Sequence, residues 1–430
     1  LCQDRFGTGL FSHPELDCDG LLQSRRLDPL LLNSPLRRPP VAAAVCVALA
    51  LVVGWVALTF LGFFAHLRPD IAVVFFAALA GSTTMSIVPL LALWFLDRRE
   101  RETPWLFAVA FLWGAFIATG LALPFNNAIL HAVAAWVARN PIIGEALGPD
   151  AALMIGAPIA GPLVEEFTKG LGLLALFVLL RAEFDNMRDG FVYGALIGLG
   201  FNWFEAPLYV AQTYAQFGTA GWGMQLGWRY ALFGFAGHAM FTGLFGASLG
   251  LALQTRRRWL KIAAPIFGLA LAVLAHAYNN VLPLIFAIAA RAAGEPPPQA
   301  DEPPPDIGLI EAWVSGSLAQ LTLFLPFVLL LGFGLLRSGV WERRVIREEL
   351  ANEIGRAVSR AEYGDIVNDR AFRTRRIDAL HPAVSAALVN AQHELAFRKR
   401  RARDEGRDPD ADPLVAAWRD EIRMLRELVR

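Results

Sequence analysis

The chain has 430 residues, 55% of them hydrophobic and only 18% charged, with zero formal net charge at pH 7. A soluble globule carries closer to about a quarter charged residues. The apolar residues here also gather into long runs, which excludes an ordinary soluble enzyme and makes the bilayer part of the solvent. Three cysteines are too few for a disulfide framework.

Residues 1–40 read as a cytoplasmic N-terminal segment without the charged-then-apolar layout of a signal peptide. Leu1 in place of Met points to a start further upstream. Cys2 and Cys18 flank His13 at a spacing that matches no zinc pattern, so free thiols are expected; Cys46 lies in an apolar run. Eight stretches are then long enough to cross a hydrocarbon core of about 30 Å as helices: 41–65, 71–96, 105–124, 152–180, 190–214, 230–254, 262–288 and 308–336. The fold class expected is all-α, a polytopic membrane bundle of about eight transmembrane helices with a small helical cytoplasmic tail. Residues 125–150 are partly apolar, with Asn126, Asn127, Arg139 and Asn140, and suit an amphipathic helix along the interface.

Basic residues set the orientation. Arg25, Arg26, Arg37 and Arg38 precede the first span. Arg98, Arg99 and Arg101 follow the second, Arg181 and Arg188 the fourth, Arg256, Arg257, Arg258 and Lys261 the sixth, and Arg337, Arg343 and Arg344 the eighth. With eight spans every cluster falls on one side, so both termini are expected in the cytoplasm. The acidic, proline-rich loop 295–306 reads as a stiff outer linker. Residues 337–430 form a charged tail in which Trp341–Arg360, Pro382–Arg401 and Pro413–Val429 each read as amphipathic helices, a solvated surface with room for a partner.

An ionisable side chain inside a transmembrane helix is costly and marks a functional candidate by default. Nearly all of them here fall in spans four to seven, within the expected transmembrane domain 41–336: Glu165, Glu166 and Lys169; Glu205; His238; and His276, with Asn279 and Asn280. Glu166 lies 15 residues before Arg181, Glu205 16 after Asp189, His238 18 before Arg256 and His276 15 after Lys261. At about 1.5 Å per residue these are all roughly 22–27 Å from the cytoplasmic flank, so four helices bring their polar groups to one level. Lys169 is spaced to neutralise one carboxylate; the other glutamate is expected to work in the site. Asn280 shares the face of His276. Glu205 has no cation in its own span, and Arg229 at the outer edge of the sixth is suited either to anchoring or to substrate contact. Two readings stay open: acid–base chemistry by carboxylates and imidazoles, or a zinc-like ion with an open water position. Hydrolysis is natural for both. The many glycines in the same spans read as close packing.

At these residues the sequence resembles the PrsW family of intramembrane proteases, distant relatives of the CAAX-processing and bacteriocin-immunity (Abi) membrane proteins. Glu165-Glu166-Phe167-Thr168-Lys169 is similar to EExxK, and Asp189-Gly190 with Tyr193-Gly194 to the DG–YG stretch. Gly198 to Glu205 is similar to GxGFxxxE, His238 with Thr242 to HxxxT, and His276 with Asn280 to HxxxN. The similarity covers roughly 150–285; the family's asparagine after the second-motif glutamate is Ala206 here.

The resemblance implies peptide-bond cleavage in or near the membrane, of substrates such as membrane-bound anti-sigma factors. Catalytic roles then fall to Glu165, Glu166, Glu205, His238, His276 and Asn280, with Lys169 supporting. His238 and His276 would be ligands if a metal such as zinc is used. Glu165 or Glu166, helped by Glu205, would activate water, and Asn280 would donate to the oxyanion. The expected partners are a membrane-protein substrate and the lipid bilayer, with no nucleic acid. The expected location is a bacterial cytoplasmic membrane. A proton-coupled transporter and a non-catalytic scaffold or immunity protein are the alternatives.

Overall fold

The computed structural model describes residues 34–97, 104–180, 184–295, 303, 307–368 and 382–427. Cys2, His13, Cys18, Arg25, Arg26, Arg98, Arg99, Arg101, Arg181 and most of the 295–306 linker lie outside them. Cys46 is exposed as a free thiol. The described residues are helical with no strand beyond a single isolated bridge, an all-α membrane bundle carrying a helical tail. Six helices are long and apolar enough to cross a membrane: Pro39–Ala65 (α1), Pro69–Leu96 (α2), Pro104–Ala138 (α3), Ala231–Gln254, Arg258–Ala292 (α9) and Leu325–Ala351 (α11).

The remaining two expected spans fall at 152–180 and 190–214. They are helical as Ala151–Ala160 (α5) joined through a π turn to Glu166–Leu179 (α6), and as Met187–Phe217 (α7). Their apolar character is interrupted by Glu165, Glu166, Lys169 and Glu205. Both are long enough to cross, at 1.5 Å per residue.

Three local expectations change. Residues 125–138 do not form a separate interfacial helix but continue α3 beyond its π turn at Trp113–Ala118; only Pro141–Leu147 (α4) is a short separate helix. The sixth span is regular only from His238 to Gln254 (α8), because Gly234 and Gly237 take positive φ and Leu232 and Phe233 sit in the left-handed region at φ 49° and 56°. The eighth is broken at Phe324 into Leu309–Leu323 (α10) and α11. Pro326 suits the first turn of α11, where its missing N–H has no intrahelical partner to lose.

α7 is the central element, buried on nearly all sides. Its glycines explain how. Gly190, Gly194 and Gly198 repeat every four residues and so line one face. A Cβ there would lie 2.0 Å from the Gly246 carbonyl oxygen, 2.4 Å from that of Thr242 and 2.1 Å from that of His238. On another side a Cβ at Gly200 would lie 1.9 Å from the Phe111 carbonyl oxygen of α3. Lacking side chains, these positions let α8 and α3 press backbone to backbone against α7, which lipid alone would not drive.

α11 runs unbroken out of the bundle into the tail and packs with Arg360–Val367 (α12), Pro382–Asp404 (α13) and Pro413–Glu427 (α14) around their own apolar core of Val345, Leu350, Leu395, Val415 and Ile422. The tail is tied back to the membrane bundle by buried ion pairs, Arg398 to Asp185 at 2.7 Å and Arg188 to Glu342 at 2.8 Å. Both grip the start of α7.

Glu353 sits at the tail's centre, bonded by Lys399 Nζ at 2.5 Å and Arg419 Nη2 at 2.6 Å. Burial pushes its carboxyl up, but the hydrogen bonds from Arg419 and Lys399 outweigh it and hold the group below the ordinary glutamate range. A depressed carboxyl contributes stability above its unfolded pKa of about 4.3 and loses it as pH falls through the folded value. The hydrogen-exchange protection factors of residues 382–427 in the full chain, corrected for the intrinsic pH dependence of exchange, should therefore fall on acidification below that pH. Glu353→Gln should flatten the dependence; an unchanged profile would remove Glu353 as its source.

Candidate active site

The site forms where α6, α7, α8 and α9 meet, with α3 and α10 closing the wall. A π turn at Gly161–Glu165 precedes α6. Such a turn adds a residue to the helix and rotates the facing of every later position. Adjacent Glu165 and Glu166 accordingly both enter the cluster, at 4% and 1% exposure, where regular spacing predicted that only one would face it.

Their environments differ. Glu166 is fully engaged: Oε1 accepts from Lys169 Nζ at 2.6 Å and from His276 Nδ1 at 3.0 Å, and Oε2 accepts from Thr242 Oγ1 at 2.9 Å. Glu165 Oε1 accepts from Asn126 Nδ2 at 3.0 Å. Its Oε2 is buried with no hydrogen-bond partner, 3.7 Å from Lys169 Nζ and 3.9 Å from both His238 Nδ1 and His276 Nε2.

The two imidazoles are held alike, each by one nitrogen on a carboxylate. His238 Nε2 is 2.8 Å from Glu205 Oε2, and its Nδ1 is 2.9 Å from Lys169 Nζ. Since the lysine ammonium only donates, the consistent tautomer has Nδ1 as acceptor and Nε2 protonated toward Glu205. His276 Nδ1 donates to Glu166 in the same way, leaving Nε2 as a lone pair toward Glu165. Glu205 Oε2 also accepts from Arg229 Nη1 at 2.6 Å, and that guanidinium stacks over Tyr209 at 4.1 Å. Glu205 thus joins His238 to Arg229, and Arg229, which pairs with Glu205, also lines the cavity.

Asn280 Nδ2 donates to the Ala157 carbonyl at 3.2 Å, and its Oδ1 accepts from Asn279. Gly161 leaves the room between them: a Cβ there would lie 2.9 Å from Asn280 Nδ2 and 3.6 Å from His276 Nε2. All six expected site residues and Lys169 therefore come together. Sequence reasoning missed Asn126, assigned to an interfacial segment, and Gln320, in a span read as featureless. One polar residue repeating the level of the others was the available signal for Asn126. A cavity of about 240 Å³ opens beside Glu165 and is lined by His238, His276, Asn280, Arg229, Asn126 and Gln320 among others.

The donor set fits a metal in kind. One carboxylate oxygen of Glu165 and one nitrogen each of His238 and His276 lie within 4.8 Å of one another. Each imidazole is backed by a carboxylate, the arrangement that orients metal-binding histidines. His238 can ligate through Nδ1 only by giving up its contact with Lys169.

The fold and site define a polytopic membrane protein with a buried glutamate–histidine centre. Residues 102–293 match the model of the PrsW family intramembrane metalloprotease. The matched segment holds every expected site residue and supports intramembrane protease activity. No curated protein and no solved structure matches the chain.

Proposed function

We propose that this protein is an intramembrane endopeptidase that hydrolyses peptide bonds of membrane-protein substrates, with Glu165 as the group that activates water. The observation that supports this most is the buried Glu165 Oε2, which has no hydrogen-bond partner and faces the unspent lone pair of His276 Nε2 across 3.9 Å. Lone pairs converging in a low-dielectric pocket require a proton, a water or a cation between them. With three carboxylates against Lys169 and Arg229, the cluster also carries one formal negative charge in excess when the imidazoles are neutral.

In this reading Glu165 takes a proton from water as the water oxygen attacks the scissile carbonyl carbon, and returns it to the departing amine nitrogen. Glu205 and Lys169 hold His238, and Glu166 holds His276, so that both imidazoles keep their orientation while charge develops. The second N–H of the Asn280 amide donates to the oxyanion. If a zinc-like ion is used, Glu165, His238 Nδ1 and His276 Nε2 would hold it. Bound there, it would supply Lewis-acid polarisation and lower the pKa of a bound water. We assign the catalytic core to about 150–285 within a transmembrane domain 41–336, the tail to 337–430, and the setting to a bacterial cytoplasmic membrane with both termini inside. The expected substrate is single-pass, of the membrane-bound anti-sigma-factor kind.

The test compares membrane-protein fragments in cells making the wild-type chain or a Glu165→Ala, Glu166→Ala double variant at matched levels. Fragments found only with the wild type support the proposal and identify the substrates. Identical fragment profiles from a properly inserted variant would overturn it in favour of a transporter or a scaffold.

A further inference from the structure

The cavity holds more hydrogen-bonding capacity than hydrolysis itself needs. Gln320 stands on α10, beyond the segment that matches the family, and is 5% exposed. Its Nε2 donates to the Trp228 carbonyl at 3.2 Å, which fixes the orientation of the amide, and its Oε1 is buried with no donor. Asn126 on α3 is built the same way. Its Nδ2 is spent on Glu165, and its Oδ1 is buried without a partner. Both side chains line the cavity beside Glu165. Buried carbonyl oxygens are rarely left unpaired, and two in one cavity call for a ligand that brings donors.

The same wall offers the opposite kind of group. α8 begins in the cavity at Gly237, whose φ of 121° favours glycine and which provides no side-chain cap. Among the described residues the N–H groups of His238, Ala239 and Met240 find no acceptor, and of the three residues His238 lines the cavity. These are the orphan donors of a helix start.

Acceptors and donors lining one cavity complement a peptide main chain, which carries one N–H and one C=O per residue. A substrate helix has already spent both internally. Only an unwound stretch has them free, and inside the bilayer it must find protein partners for them. We infer that the cavity binds an unwound stretch of substrate by its main chain. The scissile carbonyl faces the first turn of α8, and flanking substrate N–H groups pair with Gln320 Oε1 and Asn126 Oδ1. This rests on the protease reading and adds to it how the substrate is held: recognition is of main chain rather than side chains, and Gln320 is a substrate-positioning residue.

The test uses the purified full chain in lipid nanodiscs and a synthetic peptide spanning a cut site, prepared with each backbone N–H methylated in turn. Methylation at one or two positions flanking the scissile bond should raise KM roughly tenfold with little change in kcat, the expected loss for one buried hydrogen bond. Gln320→Met should make one of those positions insensitive and leave the other unchanged. Gln320→Glu, which keeps an acceptor oxygen there, should restore the sensitivity. A purely structural role for Gln320 would lower activity without altering which positions matter. The same methylation profile in wild type and Gln320→Met would overturn the inference. So would a wild type insensitive at every flanking position, a result that needs no variant to fold. A wild type that cuts no peptide at all would fail the protease reading first, and this inference with it.

Discussion

Glu165→Gln is expected to slow cleavage by roughly a thousandfold, the scale of a lost general base, while leaving the fold intact. Glu166→Gln is expected to fail in the opposite order, through stability. The difference lies in what each carboxylate holds. Glu165 Oε2 has no partner to abandon, and its Oε1 bond to Asn126 survives as an amide–amide contact. Glu166 carries the close charge partner of a fully buried Lys169 at 2.6 Å, along with bonds from His276 and Thr242. Neutralising it leaves Lys169 with the weaker 3.7 Å contact to Glu165. Breaking a buried pair from one side costs about 3–5 kcal/mol. Thermal unfolding in detergent, read beside cleavage rates, separates the two. Equal losses of stability would remove the distinction between the neighbouring glutamates. Metal content of the same variants adds a second reading: an ion held by Glu165, His238 and His276 should be depleted in Glu165→Gln even where the chain is fully folded.

Gly246→Val is the second large expected effect, and it acts through backbone contact rather than through a charge pair. A Cβ at Gly246 would lie 1.9 Å from the Gly190 carbonyl oxygen, a backbone atom that cannot swing aside. α8 must then move away from α7. Overpacking of this kind costs typically about 1–3 kcal/mol, and more where the neighbour is rigid. The same face of α8 carries Thr242 and His238, pressed against Gly194 and Gly198. Separation should therefore also loosen the Thr242–Glu166 and His238–Glu205 bonds and lower activity beyond what the stability loss explains. Gly332→Val, where a Cβ meets nothing within 4 Å, is the matched control. A Gly246→Val chain with wild-type melting and wild-type cleavage would show that the close crossing of α7 and α8 is not needed.

Much of this was legible in the sequence because the bilayer punishes exceptions. Charged residues in long apolar runs stand out, and counting from the cytoplasmic flanks put Glu166, Glu205, His238 and His276 at one level, where hydrogen bonds join them in the structure. The glycine spacing in α7 was legible as close packing, though not its partner. Periodicity failed where the backbone left regular geometry. It could not foresee the π turn at Gly161–Glu165 that turns both glutamates inward, or the left-handed Leu232 and Phe233 that delay α8 to His238. Nor could it foresee the extension of α3 that carries Asn126 to Glu165.

What the sequence determined by itself was the helical class, the approximate spans and the set of polar residues that belong together, because each is fixed by hydrophobicity and by spacing along one chain. Only the tertiary structure decided which of these groups bond to one another. Glu166 is neutralised and Glu165 is left with a free oxygen, Glu205 serves His238 and Arg229 serves Glu205, and Gln320 reaches the cavity from a helix outside the motifs. Those assignments depend on which atoms meet within about 3 Å across different helices, and that depends on how closely the glycines let the helices approach.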